Sequence, residues 1–218
     1  METITDLAKY IDHSLLKPTA TYEDIERVCE EAKEYGFYSV CVNPFHVRRV
    51  RELLKNSEVK ICTVVGFPLG ANTLKSKLIE ATTAQMDGAH ELDIVWNIGA
   101  FKSGDYTYVE EELRTLVCYT ESCVHKIIVE TAYLTDEEKI KAVEIVINSG
   151  AEFIKTSTGF APEGAKIEDV KLFKEVADNR IKIKAAGGIR DYKTALKMIE
   201  AGADRIGTSH SLEIIRQS

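Results

Sequence analysis

Three charged side chains stand where strands would aim them into one cavity. They are Lys155 in Glu152-Phe153-Ile154-Lys155-Thr156, Lys184 in Ile181-Lys182-Ile183-Lys184, and Asp93 in Glu91-Leu92-Asp93-Ile94-Val95. Successive strand residues point to opposite faces. With Ile154, Ile183, Leu92 and Ile94 turned outward, Lys155, Lys184 and Asp93 turn inward. An ammonium beside a second ammonium and short of water gives up its proton more readily. The neutral amine then adds to an aldehyde to form an imine. A nearby carboxylate relays protons to and from the adduct. The bland alternative is that these charges reach solvent or form an ion pair that ties strands together. Convergence of all three favours chemistry.

A second group is made of late glycines. Ala185-Ala186-Gly187-Gly188-Ile189 and Gly207-Thr208-Ser209 each follow a strand. Glycine serves where backbone must approach an anion closely. In a barrel of alternating strands and helices, the loops after the last two strands frequently hold phosphate. Ordinary tight turns explain either segment taken alone. Gly66-Phe67-Pro68-Leu69-Gly70 is a mouth loop or plain punctuation, and Asp12 either lines the pocket or caps a surface turn. Cys41 either lines the mouth or, the preferred reading, is a buried structural thiol. The five histidines show no ligand spacing, and the five cysteines form neither a C-x-x-C pair nor a zinc-like cluster. No metal or cofactor is expected.

The elements that must position these residues alternate along the whole chain. Strands are expected at Tyr10–Asp12, Tyr38–Val42, Lys60–Val65, Glu91–Val95, Lys126–Glu130, Glu152–Thr156, Ile181–Lys184 and Arg205–Gly207. Thr21 with Asp24 and Thr135 with Glu138 open helices that close at Gly36 and Gly150, and Asp191 opens one that ends at Gly202. Eight βα units with no linker read as one domain over residues 1–218, an α/β (β/α)₈ TIM barrel. The rival, a doubly wound open sheet, would carry G-x-G-x-x-G after its first strand, and that fingerprint is absent.

Composition narrows the partners. The chain has 218 residues, 44% hydrophobic and 29% charged, enough for a sizeable core without disulfide or metal staples. A net charge of -7 argues against broad contact with nucleic acid or anionic lipid, but leaves room for a small anion held by a few donors. No apolar run approaches the ~20 residues that span a bilayer. The opening segment carries charges where a signal peptide would be apolar. An odd number of cysteines without such a signal points to reduced thiols and a cytoplasmic location.

The residues also resemble a known family, the class I deoxyribose-phosphate aldolases, across nearly the whole chain. The resemblance rests on Ile11-Asp12-His13-Ser14-Leu15-Leu16-Lys17, Ser39-Val40-Cys41-Val42-Asn43-Pro44, Val65-Gly66-Phe67-Pro68-Leu69-Gly70 and Asn97-Ile98-Gly99-Ala100. Its most specific parts are Lys155-Thr156-Ser157-Thr158-Gly159-Phe160 and Lys184-Ala185-Ala186-Gly187-Gly188-Ile189. The resemblance implies a (β/α)₈ lyase that reversibly cleaves 2-deoxy-D-ribose 5-phosphate to D-glyceraldehyde 3-phosphate and acetaldehyde. It implies Lys155 as the Schiff-base lysine, Lys184 as the lysine that tunes it and Asp93 as the proton relay. It further implies Gly159, Gly187, Gly188, Gly207 and Ser209 at the substrate and its phosphate. The expected partners are small phosphorylated sugars or aldehydes and further copies of this chain, as a dimer or tetramer. Trp96, His90 and His210 depart from the family's usual residues, and His210 bears on the phosphate site. Another class I barrel lyase, or a catalytically silent binding barrel, is the alternative.

Overall fold

The alternation of apolar and charged residues on the strands is resolved by closing the sheet on itself. In the computed structural model, which describes residues 7–217, eight parallel strands pair in chain order and the last returns to the first. They are β1 (Ile11–Leu15), β2 (Ser39–Val42), β3 (Lys60–Val65), β4 (Glu91–Val95), β5 (Val124–Ile128), β6 (Phe153–Lys155), β7 (Lys182–Ala186) and β8 (Arg205–Thr208). The covering helices are α1 (Tyr22–Tyr35), α2 (Val47–Leu53), α3 (Leu74–Asp87), α4 (Ile98–Lys102), α5 (Tyr106–Tyr119), α6 (Asp136–Ser149), α7 (Ile167–Ala177), α8 (Tyr192–Glu200) and α9 (Ser211–Ile215). This is a (β/α)₈ barrel. Among the described residues no helix is long and apolar enough to cross a membrane.

Local chemistry sets the helix ends. Thr21 and Thr135 each form a full capping box, and Gly36 and Gly150 stop α1 and α6 in the left-handed conformation. Asp191 caps α8 through Thr194 N–H, while that helix ends at Glu200, with Ala201 as its C-cap, just short of the expected glycine.

Outward strand residues such as Val40, Leu92, Ile154, Ile183 and Ile206 merge with helix residues into the main hydrophobic core. Branched aliphatic layers usually fill such a barrel. Here Cys41, Cys62 and Val64 form only a small separate cluster, and buried Asp12, Glu91, Asp93, Lys126, Lys184 and Arg205 occupy much of the rest. The register brings them together, setting Asp93 opposite Lys126, Lys155 opposite Lys184, and Lys184 opposite Arg205.

Only β3 and β4 keep their expected limits; four strands shift by one or two residues at an end, and β1 and β5 are displaced most. β1 runs on to Leu15 because its pairing with β2 continues to Leu15 opposite Val42, whereas its pairing with β8 ends at His13. β5 begins two residues early, at Val124, where it meets Glu91 of β4, and stops before Glu130, whose backbone turns left-handed at φ 54°.

Candidate active site

Alternation on three strands carries Lys155, Lys184 and Asp93 to one point. Lys155 closes the short strand β6, and its Nζ donates to Asp93 Oδ2 at 2.6 Å. Lys184 Nζ donates to the same oxygen at 2.7 Å. Both sequence-predicted lysines are therefore in direct contact with Asp93. Lys126 Nζ donates to the other oxygen of Asp93 at 2.9 Å and pairs with Glu91 Oε2 at 2.7 Å. Lys184 Nζ pairs with Asp12 Oδ2 at 2.5 Å, and Arg205 and Ser39 donate to Asp12 Oδ1 at 2.8 and 2.7 Å. Asp12 thus belongs to this network and not to a surface turn.

Four cations share three carboxylates here, so with every group ionised the cluster carries one surplus positive charge. Burial by itself would raise Asp93, but Lys126, Lys155 and Lys184 outweigh it and hold the carboxyl well below the usual range. Burial opposes ionisation of Asp12 too, and Lys184, Lys126 and Arg205 again prevail. Lys184 is driven the other way. Burial works to neutralise it, yet Asp12 and Asp93 raise it above an ordinary lysine, so it stays an ammonium.

Of these groups only Lys155 lines the open cavity, a space of about 200 Å³. Gly159, Gly187, Gly188, Gly207 and Ser209 line the same cavity, so the expected phosphate positions sit beside the lysine. Gly187 has φ 88°, and a Cβ there would come within 3.0 Å of Gly164 Cα. A side chain at Gly207 would press on Lys184 Cε at 3.0 Å. Both positions need the bare backbone.

Lys126, Arg205 and Glu91 were not singled out from sequence. Reading Lys126 as the first residue of its strand puts it at the far end of the barrel. The two-residue shift of β5 places it mid-strand, opposite Asp93. Lys17 and Arg190 also line the cavity and are exposed. The signal for Arg190 was its place directly after the Gly187-Gly188-Ile189 turn.

The three departures from the family pattern separate cleanly. Trp96 is core, with Nε1 donating to Val129 O at 3.1 Å and its ring stacked on Phe101. His90 Nδ1 accepts Ile61 N–H at 3.0 Å, at the entry to β3 and far from the mouth. His210 lines the cavity, and its Nδ1 lies 3.2 Å from Ser209 Oγ.

Cys41 is fully buried beside Cys62 and Asp93, and these three place ligating atoms within 4.8 Å of one another. Lys126 Nζ is already 2.9 Å from Asp93 and 3.4 Å from Cys62 Sγ, so a cation seated on the trio would meet like charge. Burial raises the Cys62 thiol well above its usual value, which further disfavours it as a ligand.

This geometry can be set beside known proteins. The family described as DeoC/LacD family aldolase matches residues 6–215. A deoxyribose-phosphate aldolase of Caldanaerobacter subterraneus subsp. tengcongensis is 54% identical over 219 residues, covering 99% of this chain and 95% of the relative. One from Aciduliprofundum boonei is 56% identical, covering 96% of each. Among solved structures, "QR15, an Aldolase" superposes with a TM-score of 0.95 at 54% identity, over 98% of this chain and 96% of that one. The tetrameric deoxyribose phosphate aldolase from Aeropyrum pernix gives 0.91 at 35% identity, over 96% and 89%. With the match spanning nearly every residue that builds the barrel and its mouth, the chain belongs to the DeoC/LacD family of aldolases.

Proposed function

We propose that this aldolase reversibly cleaves 2-deoxy-D-ribose 5-phosphate to D-glyceraldehyde 3-phosphate and acetaldehyde through an imine on Lys155. The observation that carries this reading is a single lysine at the inner wall of the cavity, bonded to Asp93 beside Lys184 and facing the glycine loops. The nucleophile must be the neutral amine. Removing one proton from Lys155 leaves three cations with three carboxylates, so the network accommodates that form without an unpaired charge.

The amine adds to C1 of the open-chain sugar, and the carbinolamine loses water to give the imine. A base then takes the proton of the C3 hydroxyl, the C2–C3 bond breaks, and its electron pair flows into the imine to form an enamine. Glyceraldehyde 3-phosphate leaves. Protonation of the enamine at C2 and hydrolysis release acetaldehyde and regenerate Lys155. Asp93, 2.6 Å from Lys155 Nζ, is placed to move protons at the nitrogen. The backbone of Gly187, Gly188, Gly207 and Ser209, with Lys17 and Arg190 at the rim, would receive the phosphate.

The tetrameric relative from Aeropyrum pernix supports a homo-oligomer as the working form, a dimer or a tetramer. The free cysteines fit a reducing, cytoplasmic setting. The test is incubation with deoxyribose 5-phosphate and an assay for acetaldehyde, followed by acetaldehyde with borohydride and peptide mapping. Acetaldehyde release and a covalent label on Lys155 are expected. Absence of release, or a label on another residue, rejects the mechanism.

A further inference from the structure

Glu130 is a buried carboxylate in a left-handed backbone conformation, φ 54° and ψ 72°, which a residue with a side chain rarely adopts. It lies two residues beyond the end of β5, the strand that pairs with Lys155. The residues on either side are tied to the end of β6 and the residue after it, Val129 N–H donating to Lys155 O at 3.1 Å and Thr131 N–H to Thr156 O at 2.9 Å. Between these two anchors the chain must bulge, and the bulge drives the Glu130 side chain toward the loop after β6. Its carboxylate accepts Thr158 N–H at 3.2 Å and Thr158 Oγ1–H at 2.5 Å. Thr158 Oγ1 in turn accepts Phe160 N–H at 3.0 Å. The segment so held, from Ser157 to Gly159, packs on the glycine turn after β7. A Cβ at Gly187 would stand 3.4 Å from both Ser157 Cβ and Gly159 Cα.

We propose that Glu130 is a positioning residue that fixes the Ser157–Phe160 loop against the Gly187–Gly188 turn and thereby sets the pocket for the phosphorylated end of the substrate. A strained backbone persists where the surroundings over-determine it, and such sites cluster where geometry serves function. The carboxylate suits the task because its two oxygens accept and neither donates. A glutamine would turn an NH₂ group toward one of Thr158's donors. The inference rests on the function proposed above.

The test uses the whole chain with Glu130→Gln, Glu130→Gly and Thr158→Val, each checked for fold by circular dichroism and thermal denaturation. Glu130→Gly is informative because it relieves the left-handed backbone while removing the carboxylate, which separates folding from positioning. Steady-state kinetics are measured on deoxyribose 5-phosphate and on unphosphorylated deoxyribose. Each Glu130 variant is expected to raise KM for the phosphorylated sugar about tenfold, the scale of one lost hydrogen bond to a charged group. The unphosphorylated sugar should change less, and borohydride labelling by acetaldehyde, which carries no phosphate, should be spared. Combining Glu130→Gln with Thr158→Val should cost less than the product of the two, since they share one contact. An unchanged KM, or equal losses on both sugars, overturns the proposal. Wild-type protein that neither cleaves the sugar nor labels at Lys155 overturns the functional reading beneath it.

Discussion

Replacing Lys184 by methionine removes one charge from the network and keeps most of the side chain's bulk. Lys184 and Lys155 both donate to Asp93 Oδ2, at 2.7 and 2.6 Å, so their nitrogens lie within about 5 Å of each other. Two like charges at that separation repel by about 3 kcal/mol at an effective dielectric of 20. That repulsion favours the neutral, nucleophilic amine at Lys155. Without it, the network has three cations and three carboxylates when Lys155 is an ammonium, and deprotonation then leaves an unmatched carboxylate. A loss of 3 kcal/mol corresponds to roughly 10²-fold in kcat/KM at neutral pH. Asp12 keeps Arg205 and Ser39 as partners, which limits the damage to the fold. The assay is acetaldehyde release from deoxyribose 5-phosphate at neutral pH, with thermal denaturation of the same samples. Wild-type activity at neutral pH in folded protein refutes the electrostatic role.

Asp93→Asn should lower stability by about 3–5 kcal/mol, since three ammonium groups lose their shared carboxylate. The fraction that stays folded should lose about 10²–10⁴-fold in kcat; full activity in that fraction would restrict Asp93 to a structural ion pair. Behind the mouth, Lys77 and Glu112 form a completely buried pair at 2.8 Å, and Glu112 also accepts Asn97 N–H at 3.1 Å. Lys77→Met should therefore cost about 3–5 kcal/mol in urea denaturation by stranding a buried carboxylate, and an unaltered midpoint would contradict that pairing. Acid should act through Asp12 and Asp93. Burial opposes their ionisation, but the neighbouring cations hold both folded-state values below those of the unfolded chain. Their contribution is present above about pH 4 and is lost as pH falls through the folded values. Asp12→Asn should flatten the acid limb of stability measured by denaturation, and an identical limb would show that Asp12 is not held in this way.

Much of the site was legible because the rules that place it are local. Alternation along a strand is enough to turn Lys155, Lys184 and Asp93 away from the helices that Ile154, Ile183 and Leu92 must face. Helix ends at Thr21, Gly36, Thr135 and Gly150 follow from capping chemistry within a few residues. Glycines after the seventh and eighth strands could be assigned to the mouth once a barrel was inferred, because parallel strands joined by helices bring all their C-terminal ends to one side.

The remaining features depend on which strand lies beside which, and in what register. Lys126 counted as an end residue until pairing with β4 set it opposite Asp93. Glu130 is the last residue of a strand by pattern, yet with Val129 and Thr131 anchored to Lys155 and Thr156 it is left-handed. Arg205 reaches Asp12 across 193 residues of chain, through the closure of β8 on β1. A short-range pattern says which way a charge points, whereas the partner that compensates it is chosen by the closed sheet. Burying such a charge is tolerable only when that partner arrives.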